Sequence, residues 1–221
     1  MKLIFYFLVF IILLSSCKQA EVPADSIEFL FNETQPVSVS EISSFPNRFL
    51  GNYINKDSNY LIINKKDIFY KSIYKIKISF SSFDSIKESF KIVQNKIYLK
   101  KNQFAEYRKL KDSVEITDYS YDTIFTISNN QRAKKIHKTI VLNTKDSIYW
   151  TTKFLTLDKN NLKITNLYSN DDLKRIDSLS EVKSCKIDSI KNRIQLSRKE
   201  FKKMLGLKHF GFEQNFQKVK D

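Results

Sequence analysis

Between Phe49 and Asn166 short aliphatic and aromatic runs recur at close, even intervals, each closed by a polar break. The clearest run sets Tyr74, Ile76, Ile78 and Phe80 against Lys75, Lys77 and Ser79. One face is apolar and the other charged, as expected of a half-buried antiparallel strand. Further strands are predicted at 90–93, 96–100, 104–110, 114–119, 121–127, 135–142, 147–157 and 162–167. The breaks are rich in Asn, Asp, Ser and Lys, and a Lys-Asp-Ser triplet recurs at 56–58, 111–113 and 145–147. Its unequal spacing marks shared turn chemistry rather than a repeat. The long helical crossovers that a parallel α/β sheet needs are missing.

After Tyr168 the pattern changes. Ser169-Asn170-Asp171-Asp172 ahead of Leu173 and Ile176 reads as a helix start with acids in its first turn, continuing to about Glu181. The span 183–195 reads either as helix, through Ile187, Ile190 and Ile194, or as strand at 193–196. Ser197 and Glu200 form a capping box before Phe201, Met204 and Leu205, with Gly206 as a C′ stop. The tail bearing Phe210, Phe212 and Phe216 is expected to pack back onto the sheet. The fold class is therefore mainly β, an antiparallel meander forming a sandwich or an open lipocalin-like barrel, with one or two C-terminal helices. Gly51-Asn52-Tyr53 faintly resembles the Gly-x-Trp opening of lipocalin-like barrels. In that reading Phe49, Tyr53 and Trp150 line a cavity; in the plainer one they fill a sandwich core.

The N-terminus constrains location. Lys2 is the only charge before Cys17, and residues 3–14 carry no polar side chain beyond the Tyr6 hydroxyl. That is a basic n-region and an apolar h-region, too short for the roughly 20 residues a spanning helix needs. Leu14-Ser15-Ser16-Cys17 resembles the lipobox of bacterial lipoproteins. The resemblance implies cleavage before Cys17, a diacylglyceryl group on its thiol and an acyl chain, such as palmitate, on the new amino group. Several acyl chains, at about 0.8 kcal/mol per buried CH₂, hold a chain on a membrane far better than one. Lys18 rather than Asp follows the cysteine, which implies the outer membrane, with the periplasmic or cell-surface face left open. Together with the Lys-, Asn- and Ile-rich body and the late capped helix, these features resemble envelope lipoproteins of Bacteroidota.

The expected organisation is a signal peptide at 1–16, a lipidated acidic tether at 17–47, an antiparallel β domain at 48–168 and a helical segment at 169–221 packing on it. Pro23, Pro36 and Pro46, all the prolines of the chain, fall in the tether. Within it Asp25 and Glu28 suggest a short capped helix, and residues 37–40 alternate like a strand.

Charge is uneven. Residues 17–47 carry one basic side chain against five acidic ones, and residues 48–221 carry 36 against 19. A basic body favours anionic lipid or glycan partners. The blander reading is that the lysines simply solvate the surface. The basic residues are scattered, no Arg–aromatic cluster of the single-strand-binding kind is visible, and no nucleic acid is expected.

Motif chemistry is sparse. With Cys17 lipidated, Cys185 is the remaining thiol, so a Cys-rich metal site and an intramolecular disulfide are both excluded. His137 is expected on a strand surface and His209 after a helix stop. The glycines are Gly51, Gly206 and Gly211, too few and too scattered for a phosphate loop. No cofactor or metal is expected, and the function expected is that of a non-enzymatic binding or structural module. The alternatives are a lipocalin-like carrier of an apolar ligand and a carbohydrate-active hydrolase using two carboxylates.

Seven of the fourteen aspartates begin Asp-Ser/Thr followed by an aliphatic residue. These triplets resemble the O-glycosylation motif of exported Bacteroidota proteins. The hydroxyls of Ser26, Ser85, Ser113, Thr123 and Ser147 are thereby candidate sugar acceptors, while Ser178, inside an expected helix, is a poorer one. The same triplets are also good turn-and-strand-start chemistry.

Overall fold

The computed structural model describes residues 26–100 and 103–219; Cys17 and the segment expected to be a signal peptide lie outside them. The chain is mainly β, with one large antiparallel sheet that includes the parallel pair of β1 with β15, and the sheet does not close into a barrel. In chain order the strands begin with β1 (Glu28–Phe31), β2 (Glu41–Ile42), β3 (Gly51–Ile54), β4 (Tyr60–Ile63) and β5 (Asp67–Ile78). Helix α1 (Phe80–Ser89) follows, then β6 (Lys91–Val93), β7 (Lys96–Lys100), β8 (Gln103–Lys109) and β9 (Val114–Thr126). Next come β10 (Gln131–Ile136), β11 (Thr139–Asp146), β12 (Tyr149–Asp158), β13 (Asn161–Asn166) and α2 (Asn170–Leu179). The chain ends with β14 (Cys185–Lys186), β15 (Lys191–Ile194), α3 (Arg198–Leu205) and β16 (Phe212–Lys218).

Two compact units, each discontinuous, divide the chain. The first holds the described residues up to Glu41 together with Arg132–Thr156 and Lys163–Gln214; the second holds Ile42–Gln131, Leu157–Leu162 and the residues from Asn215.

In the first unit β1 lies parallel to β15, from Glu28↔Lys191 to Phe31↔Ile194, and meets β12 at Phe31↔Trp150. Helices α2 and α3 contribute Ile176, Phe201 and Met204 to a core with Phe29, Phe31, Trp150 and Phe154. The Phe154 and Phe201 rings meet edge-on at 6.0 Å, a favoured aromatic geometry. Both helices carry complete capping boxes, Ser169 with Asp172 and Ser197 with Glu200. Gly211 has φ +72°, and a Cβ there would come within 2.6 Å of the Asn166 carbonyl oxygen. Only glycine lets this turn follow the buried Phe210.

The second unit runs β3-β4-β5-β9-β8-β7-β6, with β16 beside β3 through Gln217↔Ile54. Phe45, Phe49, Tyr53, Leu61, Ile68, Phe125 and Phe216 are buried in it. The Tyr53 hydroxyl donates to the Phe49 carbonyl at 2.9 Å, and burial pushes its pKa up to about 12. Phe49 and Tyr53 in this unit, like Trp150 in the other, are core-packed residues rather than the lining of a barrel cavity.

Several local expectations are corrected. Residues 28–31, expected in a tether beginning with a short helix, are core strand. Burying Phe29, Leu30 and Phe31 contributes roughly 1.5–3 kcal/mol each, against about 1 kcal/mol for a cap. Residues 37–40, expected to alternate like a strand, are a turn at Val37 and Ser38, with Ser38 at φ 56°, followed by irregular chain. The expected strand 135–142 is a hairpin, because His137 takes φ 53° between β10 and β11. The two strands read at 114–119 and 121–127 are one, β9, running through Ser120. Phe80 opens α1 instead of ending a strand, since the Ser79 hydroxyl accepts from the Ser82 N–H as an N-cap. Of the two readings of 183–195, the strand prevails as β14 and β15. Gly206 closes α3 as a C-cap with right-handed φ −88°, not as a left-handed C′ stop. The Phe tail does return to the sheet, as β16.

Candidate functional site

The most distinctive surface belongs to the second unit. Strands β5, β9, β8, β7 and β6 pair in continuous register over residues 71–78, 114–121, 104–109, 96–98 and 91–93, outside the shifts at Ile68/Phe69 and Tyr98/Lys100, so each alternates there between the same two faces. On one face Phe83 of α1 packs with Ile97, Ala105, Val114 and Ile116, flanked by Ile78, Ile92 and Tyr107. The sequence dictates this lobe: Ser79 caps α1, whose Phe83 and Ile86 turn inward.

The other face carries no buried side chain among the described residues. β5 presents Lys71, Ile73, Lys75 and Lys77, paired with Tyr121, Tyr119, Thr117 and Glu115 of β9. β8 adds Phe104, Glu106 and Arg108; β7 adds Lys96 and Tyr98; β6 adds Lys91 and Val93. Six basic side chains thus share this open face with four aromatic rings and two carboxylates.

Cations and rings are interleaved. The Lys71 ammonium lies 4.4 Å from the Tyr119 ring centroid and 5.8 Å from that of Tyr121. The Lys96 ammonium lies 4.0 Å from the Phe104 centroid, and the Phe104 and Tyr98 rings are 6.1 Å apart. Each exposed cation–π contact stabilises by about 0.5–1 kcal/mol. The Tyr119 hydroxyl donates to Glu106 Oε2 at 3.2 Å. Partial desolvation, reinforced by the Glu106 charge, pushes the Tyr119 pKa up, so the phenol stays a donor further into the alkaline range. Arg108 is paired with Glu115 at 3.0 Å. Tyr121 is 55 % exposed.

A second polar concentration lies in the first unit. The buried Lys134 ammonium donates to the carbonyls of Thr34 at 2.9 Å and Pro36 at 3.0 Å. Asn143, fully buried, accepts from the Gln35 N–H at 2.6 Å and donates to the Gln35 carbonyl at 2.9 Å. Burial lowers the Lys134 pKa, opposed by the charges of Glu41 and Glu33 and assisted by Arg132. Every partner here is backbone, chiefly of one loop, with Asn143 also donating to the Arg132 and Val141 carbonyls, so this cluster is a clasp on residues 34–36 rather than a reaction centre.

No family model, no curated protein and no solved structure matches this chain. The surface itself must therefore carry the functional reading.

The sequence-expected residues are dispersed. Cys17 lies outside the described residues. Of the candidate acceptors, Ser147 is exposed at the tip of the β11–β12 hairpin, at φ 56° and beside Ile148, itself 72 % exposed. Ser85 is exposed on α1, and its hydroxyl donates weakly to the Ser81 carbonyl at 3.4 Å. Thr123 is exposed on β9, while Ser113 in the β8–β9 turn and Ser26 ahead of β1 are half-buried. In a further triplet the Asp188 carboxylate accepts from the Ile190 and Lys191 N–H groups, which lower its pKa. That is the turn chemistry expected of Asp-Ser.

Cys185, exposed on β14, is not buried. His137 sits in a hairpin turn rather than on a strand, and His209 is exposed. No metal-ligating group of three or more His, Cys, Asp or Glu occurs among the described residues. The buried acids Asp172 and Glu200 are committed to their own helix caps, and Asp172 also accepts from the Gly211 N–H at 2.9 Å. An open depression of about 600 Å³ in the second unit is bordered by Asn52, Asn64 and Lys65–Asp67.

The cationic–aromatic face was missed by motif reading because its members come from five strands spanning Lys71 to Tyr121. The signal present was the Lys75/Lys77 alternation and the matching Tyr119/Tyr121 alternation, which only strand pairing brings together.

Proposed function

We propose that this chain is a lipoprotein of the bacterial outer membrane, anchored through Cys17, acting as a non-enzymatic module that binds anionic polymers on the open face of β5-β9-β8-β7-β6. The observation that carries the reading is that face: six basic side chains against two acidic ones, interleaved with four aromatic rings, none of them buried. A sheet surface serving only solubility needs charge but gains nothing from half-exposed rings set beside ammonium groups. The lipobox resemblance supplies the anchor, and a basic surface beside an envelope meets anionic polymers at raised local concentration.

The full-length lipidated protein is expected to bind a polyanion-coated surface and to lose that binding as salt rises from low to physiological strength. Lys75→Glu combined with Lys77→Glu reverses two exposed charges and should weaken binding at least tenfold with unchanged folding, about 1.4 kcal/mol or more. Salt-independent binding, or a double variant that binds like wild type, removes the face from the reading. Cys17→Ala should move the protein out of the membrane fraction; retention there removes the anchor.

A further inference from the structure

We infer that the ligand of this face is an acidic polysaccharide, with Tyr121, Lys71 and Glu106 forming a subsite for one uronic-acid unit. This rests on the binding reading above and names its ligand class. Tyr121 and Tyr119 stand about 7 Å apart along one strand, on the same face. Lys71, cross-strand partner of Tyr121, places its ammonium 5.8 Å from that ring and 4.4 Å from Tyr119. A pyranose presents an apolar patch of C–H bonds on one face and hydroxyls at its rim. The open face of Tyr121, 55 % exposed, accepts the C–H patch. The Lys71 ammonium meets a carboxylate at the sugar's edge. Glu106, already accepting from the Tyr119 hydroxyl at 3.2 Å, has further lone pairs for a sugar hydroxyl.

Hydroxyl content separates this class from other polyanions. Glu106 and Glu115 sit inside the face, Glu106 beside Lys96 in register and Glu115 beside Lys77. A polynucleotide carries a charge on every unit and would bring phosphates against these carboxylates. A polyuronate also carries a charge on every unit, but each unit adds free ring hydroxyls, which donate to carboxylates, whereas an oligodeoxynucleotide has none to offer. The cations also fit: five are lysines, and the single arginine is already paired with Glu115 at 3.0 Å. Bidentate phosphate recognition relies on free arginine forks, which this face lacks.

The test uses the full chain in detergent and four probes: polygalacturonate, its fully methyl-esterified form, oligo(dT), and anionic phosphatidylglycerol vesicles. Polygalacturonate is expected to bind best, with the methyl ester at least tenfold weaker because the carboxylate is masked. Tyr121→Ala should weaken polygalacturonate about five- to tenfold, the scale of one lost stacking contact, and Lys71→Ala similarly. Both side chains lie outside the core, so the variants should remain folded, with an unfolding temperature lowered by no more than a few degrees through the lost cation–π contacts. Equal binding of the acid and ester, or indifference to Tyr121→Ala in a normally folded variant, overturns the subsite. Tighter binding of oligo(dT) or vesicles overturns the ligand class while leaving a polyanion-binding module. Binding of none of the four overturns both.

Discussion

At the scale of single residues, Lys134 shows how a charge is held inside a β protein. Its ammonium has lost water and gained two carbonyls, and its pKa is lowered by burial despite the pull of Glu41 and Glu33. The folded chain therefore binds its proton less readily than the unfolded chain does. Below the lowered value both states are charged and the cost of burying the charge is paid in full; it is relieved as pH rises towards the ordinary 10.5. Urea denaturation at rising alkaline pH should show this contribution as a gain in stability. Lys134→Met leaves two buried carbonyls without their donor and is expected to cost about 1–3 kcal/mol. In that variant the pH-dependent gain should vanish; its survival would assign the gain to another group. Sequence showed nothing of this, since Lys134 lies in a run, Lys134-Lys135, that reads as surface charge, and only the pairing of β10 turns one of the two inward.

At the scale of elements, the helices were the most legible parts because their signals are local. Ser197 and Glu200 sit three residues apart, and the resulting box is complete: Glu200 Oε2 takes the Ser197 hydroxyl and N–H, both at 2.7 Å. Glu200 Oε1 accepts from the Glu181 N–H at 2.6 Å, so the same acid ties the α2–α3 connection to the start of α3. The Ser197 hydroxyl bond first, then backbone N–H donors, lower the Glu200 pKa against a smaller burial penalty. Its stabilisation is present above the ordinary 4.5 and lost as pH falls through the lowered value. Acid unfolding followed by circular dichroism should show Glu200→Gln less stable than wild type at neutral pH, by about 1 kcal/mol. The two should converge in acid. A constant gap at all pH values would mean that the carboxylate charge is not what the cap uses. Strand boundaries were less legible than helices. Ser120 inside β9 and His137 between β10 and β11 both carry polar side chains, yet one continues a strand and the other breaks one. Long-range pairing with β5 holds Ser120 extended, through Ser72↔Ser120.

At the scale of the whole molecule, the open face and the candidate sugar acceptors pose separate questions. A glycan on Ser147 or Ser85 would project into water from a hairpin tip or an exposed helix, whereas Ser113 and Ser26 are half-buried. Intact mass of protein from its native host should show hexose-scale increments, reduced one step by Ser147→Ala and another by Ser85→Ala. A mass equal to the lipidated polypeptide would leave every Asp-Ser triplet as turn chemistry, the role Asp188 visibly plays.

What the sequence alone determined was what local spacing encodes: the β class, most strand positions between residues 49 and 166, both C-terminal helix starts and the return of the Phe tail. Capping boxes and two-residue alternation act within a few residues, so they can be read before any fold is known. The tertiary structure decided the rest. It made core strand of Glu28–Phe31, because a parallel partner 163 positions later at Lys191 offered burial that outweighed a local cap. It also assembled the cationic–aromatic face. Lys71 and Tyr121 become neighbours only through the β5–β9 register, and which side of that sheet stays open depends on where α1 lies down. Period-two alternation specifies that a strand has two faces; the packing of a distant element selects the one that water, or a ligand, will meet.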